Sequence, residues 1–189
     1  MNKLIILATS LLLLSACSNQ PAVVKKYYRL SSLDNSQLSL SPEKRPSVVI
    51  TRPKGMSILA GRPMVATVED GALVQLNHHY WLESPTLLVQ QILSQWAEQH
   101  WQQIKTHVAF DKPIERLDSE ILAFEKDGNQ AKVSLHFILT AADGHIILDQ
   151  TLSRQLTISG EGYAGFVHSI NNAVNQILTD LSEAINNLS

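Results

Sequence analysis

The chain has 189 residues, a formal net charge of −2 and one cysteine. That length holds one ordinary domain. The mild acidity excludes a polybasic nucleic-acid binder, and a lone cysteine excludes an internal disulfide or a Cys-rich zinc site. With 44% hydrophobic and 17% charged residues, the composition is that of a packed globule.

The first 17 residues read as an address. Met1-Asn2-Lys3 is a short positive region, and residues 4–14 are an almost unbroken apolar run. The run is well below the ~20 residues that a helix needs to cross a bilayer, and suits the core of a secretory signal peptide. It closes on Leu14-Ser15-Ala16-Cys17, which resembles a bacterial lipobox: small residues precede the cut, and the cysteine thiol accepts a diacylglyceryl group. The chain's only cysteine stands where lipidation needs one. Residues 1–16 are therefore expected to be a signal peptide cleaved between Ala16 and Cys17. Residues 17–26 would be the acylated cysteine and a tether, and residues 27–189 a single domain. Resemblance to Gram-negative lipoproteins implies three acyl chains on Cys17, palmitate among them, which is an effectively permanent anchor. In the sorting rule of that class, Asp after the cysteine retains a protein at the inner membrane. Ser18 instead implies passage to the outer membrane, with the domain in the periplasm.

Residues 18–26 are polar and aperiodic. Tyr27-Tyr28-Arg29-Leu30 has strand character, residues 31–46 read as a Ser- and Pro-rich loop, and residues 47–51 form a β-branched run with the look of a buried strand. Two short strands, residues 64–68 and 72–76, flank Glu69-Asp70-Gly71 as a hairpin, with residues 78–82 extending or following the second. Ser84-Pro85 opens a helix, Ser as cap and Pro at its first position. Leu88, Ile92 and Trp96 recur at helical spacing, and the pattern carries that helix to about His100–Ile104. Residues 114–125 predict a strand of untidy alternation. Ala131, Val133, Leu135, Phe137 and Leu139 alternate cleanly, and Asp143-Gly144 turns the chain into residues 146–158, where Ile146, Leu148, Leu152, Leu156 and Ile158 share a face. A last amphipathic helix spans about Gly162 to Asn186. The resulting fold is a two-layer α+β sandwich, a mainly antiparallel sheet with two long helices on one face.

Few residues suggest chemistry. Gly160-Glu161-Gly162-Tyr163-Ala164-Gly165 fits G-x-G-x-x-G, but no second parallel strand follows it and Glu161 would face a pyrophosphate. A strand-to-helix turn that needs permissive backbone accounts for the glycines. The histidines (His78, His79, His100, His107, His136, His145 and His168) lack metal-ligand spacing and read as scattered surface residues. No G-x-S-x-G occurs, and acylation removes Cys17 as a nucleophile. No catalytic, cofactor-binding or metal residue is assigned, and no enzyme is expected. Trp96 matches the apolar stripe and is assigned to packing. Trp81 and Trp101 stand between packing and an exposed aromatic surface facing lipid or a partner. The domain shows no basic patch for anionic lipid.

In order and spacing, several short motifs resemble the ABC-type transport auxiliary lipoproteins, the family of the paraquat-inducible protein C type. These are Tyr27-Tyr28-Arg29-Leu30, residues 47–50 followed by Arg52-Pro53, Gly61-Arg62-Pro63-Met64-Val65, Tyr80-Trp81-Leu82-Glu83, the Asp143-Gly144 hairpin and the last helix. Asn77-His78-His79-Tyr80 departs from the Phe-His pair common at that turn. The resemblance covers residues 17–189. It implies a non-enzymatic outer-membrane docking component of an intermembrane lipid transport system whose periplasm-spanning partner is a mammalian-cell-entry (MCE) protein. Two other readings are open at this point: a periplasmic lipid-binding carrier, and a structural envelope-integrity lipoprotein unconnected to transport. The sequence leaves association with further copies of itself open.

Overall fold

The computed structural model describes residues 24–31, 43–106 and 114–188. In chain order the elements are β1 (Lys26–Tyr28), β2 (Arg45–Ile50), β3 (Lys54–Gly55), α1 (Ser57–Ala60), β4 (Pro63–Thr67), β5 (Leu73–Trp81), α2 (Pro85–Ala97), β6 (Trp101–Lys105), β7 (Glu115–Asp127), β8 (Gln130–Thr140), β9 (Ile146–Thr157) and α3 (Gly162–Asn186).

The strands form one mixed sheet organised around β7. One edge of β7 pairs antiparallel with β8 along its length, and β8 pairs in turn with β9. The other edge accepts three short strands end to end, all parallel. Val48 lies opposite Glu115, Lys54 opposite Glu120, and Val65 opposite Glu125. Residues 45–67 thus run once along β7 in a single direction, stepping out only for the one-turn helix α1. Outside them, β6 pairs parallel with β2, β5 antiparallel with β4, and β1 parallel with β5. The long ladders are antiparallel, and the α+β class is the expected one.

Hydrophobic alternation explains where the core sits. On β8, Ala131, Val133, Leu135, Phe137 and Leu139 are all fully buried, alternating with residues on the open face of the sheet. On β7 the alternation breaks at a β-bulge between Ile121 and Ala123. Leu122 is the extra residue and is 42% exposed, and beyond it Phe124 returns to the core side. The untidy pattern read in the sequence is this bulge. A second shift, between Leu139 and Thr140, puts Ile146 out of phase with Leu148, Leu152 and Leu156. Ile146 is 58% exposed, so it does not share their face as expected. Gly128 (φ 54°) serves the two-residue turn between β7 and β8, and Gly144 (φ 95°) the turn into β9.

Both long helices cover the same face. The α3 stripe of Phe166, Ile170, Val174, Ile177, Leu178, Leu181 and Ile185 is buried, as are Leu88, Val89, Ile92, Leu93 and Trp96 of α2. Each such side chain stabilises the fold by roughly 1.5–3 kcal/mol. The expected extension of α2 to residues 100–104 does not occur: the helix stops at Ala97, and Trp101 begins β6. The open edge of β2 takes up residues 101–105 instead. There Arg45 N–H donates to His100 O. Arg45 also grips the Glu115 carboxylate through Nε and Nη2 at 2.7–3.1 Å. Trp101 Nε1 donates to Glu115 Oε2 at 2.6 Å. Side chains of β2, β6 and β7 are thereby tied at one point.

The two helices are joined by a buried polar trio. Trp96 Nε1 donates to Ser182 Oγ at 2.8 Å, His100 Nε2 lies 2.9 Å from the same oxygen, and Ser182 Oγ donates to Leu178 O at 2.9 Å. With its one proton committed to Leu178, the hydroxyl accepts from both neighbours, which assigns a neutral His100 with its proton on Nε2. Burial, and then Lys44, lowers the His100 pKa to about 4. Ser182→Ala is expected to cost roughly 1–3 kcal/mol in urea unfolding, because it orphans the Trp96 donor. The unfolded chain protonates His100 near 6.5 and the native one near 4. Stability is therefore complete above pH 6.5 and falls by roughly 3 kcal/mol as the pH drops through that window. Urea midpoints at stepped pH check this, and His100→Leu should flatten the slope.

Candidate functional site

Ala16, Cys17 and Ser18, the residues the sequence singles out, lie outside the described residues. The structure shows where the chain that leads to them arrives. β1 is an edge strand of the sheet, pairing with the last residues of β5, Lys26 with His79 and Tyr28 with Trp81. The residues assigned to the tether thus end inside the sheet, since β1 begins at Lys26. Beyond β1, Leu30 is buried, and Ser31 N–H donates to Asn171 Oδ1 on α3 at 2.8 Å. Asn171 Nδ2 in turn donates to Val167 O at 3.1 Å. A cleft of about 320 Å³ opens beside this crossing, with Arg29 and Glu83 in its wall and Leu30, Leu88 and Ile92 lining it.

Alternation along β1 sorts its side chains onto two sides. On one side Tyr27 and Tyr80 are paired, their ring centroids 5.5 Å apart. Lys25 Nζ stands 5.6 Å from the centre of the Tyr80 ring, and the Arg62 guanidinium 5.2 Å from that of Tyr27. Arg62 Nε also donates to Trp81 O at 3.3 Å. Tyr27 is 50% exposed. The other side carries Lys26 and Tyr28, with Tyr28 6.1 Å from the His79 ring. The sequence reading found no basic patch because Arg62 is remote from Lys25 in the chain. Pairing of β1 with β5, and of β5 with β4, brings Arg62 beside it. The Gly61-Arg62-Pro63 motif was the available signal.

The bulge between β4 and β5 shapes this edge. Pro63 pairs with Tyr80 but Val65 with Gln75, so β5 carries extra residues. Within them His78 adopts φ 71°, an uncommon conformation for a residue with a side chain. His79 then stacks on Tyr163 in the first turn of α3, centroids 3.5 Å apart. Burial, then Lys26 and His78, lowers the His79 pKa, keeping the ring neutral at neutral pH. The Asn77–Tyr80 stretch is therefore a structural joint between sheet and helix.

The glycines at the start of α3 are explained by backbone geometry. Gly160 has φ 90° and Gly162 φ 58°. A Cβ on Gly165 would lie 2.6 Å from Ser159 O and 2.8 Å from the Gly160 carbonyl. The turn folds back onto its own helix, and only glycine fits.

One surface assignment is corrected and one open choice is resolved. His100 is fully buried and belongs to the core, as described above. Trp81 and Trp101 are buried with Trp96, so the indoles form no lipid-facing surface. Trp81 packs against Phe124 and Phe166, and Trp101 is edge-on to Trp96. Elsewhere His136 Nε2 meets Asp149 at 2.7 Å across the open face, and His145 pairs with Asp143, lowering the Asp143 pKa through hydrogen bonds. His107 lies outside the described residues. Among the described residues no group of three metal-ligating side chains comes together, and no helix is long and apolar enough to cross a membrane.

A solved structure of an uncharacterized protein shares the fold at a TM-score of 0.69 with 15% identity, covering 85% of this chain and 97% of its own. Protein XCC0632 from Xanthomonas campestris does so at 0.69 with 14% identity, over 82% and 92%. None of the curated proteins matches the chain. The family model described as the ABC-type transport auxiliary lipoprotein component matches residues 28–182, and the chain belongs to that family.

Gly165→Ala is expected to destabilise the domain by about 1–3 kcal/mol in urea titration, because the crowding atoms are backbone and cannot swing aside. Added NAD or ATP should leave the thermal midpoint of the wild-type chain unmoved, since a ligand of the native state would raise it.

Proposed function

We propose that this auxiliary transport lipoprotein is held at the outer membrane through acylated Cys17. From there its periplasmic domain serves as the docking component for an MCE-type, periplasm-spanning partner that moves lipids between the membranes. The observation that carries the reading is the family match over residues 28–182, joined to a lone cysteine placed directly after Leu14-Ser15-Ala16. The role is one of attachment and contact: the domain offers a rigid sheet with helices on one face, and the chain from Cys17 enters it at an edge. Anchoring raises the effective concentration of a docking surface near its partner, so that a weak contact can be occupied.

Two outcomes follow. Cys17→Ala should leave the fold intact while lowering capture of the transport partner in cells, and should reproduce the envelope sensitivity of a deletion. The control is the mature domain exported on a cleavable, non-lipid signal at equal protein level. Full restoration of capture and resistance by that form would overturn the docking model. Ser18→Asp should shift a large share of the protein into inner-membrane fractions on a density gradient. Unchanged fractionation would show that Ser18 does not direct sorting.

A further inference from the structure

We infer that the Tyr27 side of the β1 edge, with Lys25, Tyr27, Arg62 and Tyr80, is a contact surface for anionic phospholipid headgroups of the membrane that holds Cys17. The inference rests on the anchoring proposed above and adds an orientation to it.

Charge is the first argument. Lys25 and Arg62 form no ion pair among the described residues, and each stands over one ring of the Tyr27–Tyr80 pair. Unneutralised cations held side by side suit phosphate oxygens. Glu83 follows Leu82, which is bonded to β1 through Tyr28 O, and Glu161 precedes Tyr163; these are the acids closest in the chain to residues that touch this edge. The chain as a whole carries −2, so an anionic surface attracts this edge and repels the remainder. Aromatic placement is the second argument. Tyr27 is half exposed between the two cations, an apolar ring with a polar tip as the headgroup layer favours. Reach is the third. Val24 is seven residues from Cys17, a span of at most ~25 Å when extended, so the edge is confined near the membrane.

The test uses the full acylated protein, purified from membranes and reconstituted. Because Cys17 is the only cysteine and its thiol is acylated, Val24→Cys provides the single reactive thiol for an environment-sensitive dye. Vesicles of phosphatidylcholine alone are compared with vesicles that also contain phosphatidylglycerol. Dye emission should shift to the blue only with phosphatidylglycerol and return at high salt. Lys25→Gln and Arg62→Gln should each lower the ratio of contacting to free domain about fivefold. Near-ultraviolet circular dichroism of the buried tryptophans reports that these variants stay folded. Emission that ignores lipid composition, salt and both substitutions, on protein that floats with the vesicles, overturns the inference and leaves anchoring intact. A chain that floats with neither vesicle overturns anchoring and the inference together.

Discussion

Strand β7 has both edges occupied along its length, and the rest of the molecule depends on that. Its antiparallel edge fixes β8 and β9 by hairpin geometry. Its parallel edge fixes β2, β3 and β4, which no hairpin could bring there. Once those are placed, β6, β5 and β1 add outward, and the buried face of the sheet becomes the floor for both long helices, α2 over β2 and β6 and α3 over β8 and β9. A parallel pairing normally demands a long crossover. Here the segment between β4 and β7, which carries β5, α2 and β6, is that crossover, and the three short strands share it.

What could be read in the sequence divides along the same line. Local patterns were legible: the alternation of β8, the stripe of α3, the Ser84-Pro85 start of α2 and the Gly144 turn all rest on neighbours in the chain. Features created by distant partners were not. Residues 101–104 read as a continuation of α2; only the open edge of β2 makes them a strand. β3 and α1 are too short to carry a period. The exposure of Ile146 follows from a register shift that sequence alternation does not announce.

The site divides in the same way. The proposed junction at Ala16, Cys17 and Ser18 is a linear motif, argued from neighbouring residues alone, and it lies outside the described residues. The aromatic and cationic edge was not legible, since it joins residues from β1 and β5, the residue before β1 and the loop before β4. The histidines mark the contrast most clearly. Identical in type, His100 serves the core through Ser182 and His79 braces sheet against helix, while His145 sits exposed at a turn beside Asp143. Composition cannot distinguish them; their partners do.

The crossing from β1 to α3 has a mechanical consequence. A pull applied along the axis of β1 would load its hydrogen bonds to β5 together, in shear, instead of opening them one by one. Force that passes β1 meets Leu30 in the core and then the Ser31–Asn171 bond, which hands it to the longest helix of the fold. The load path therefore joins the thin edge strand to α3, through a backbone N–H that a side chain of the helix holds.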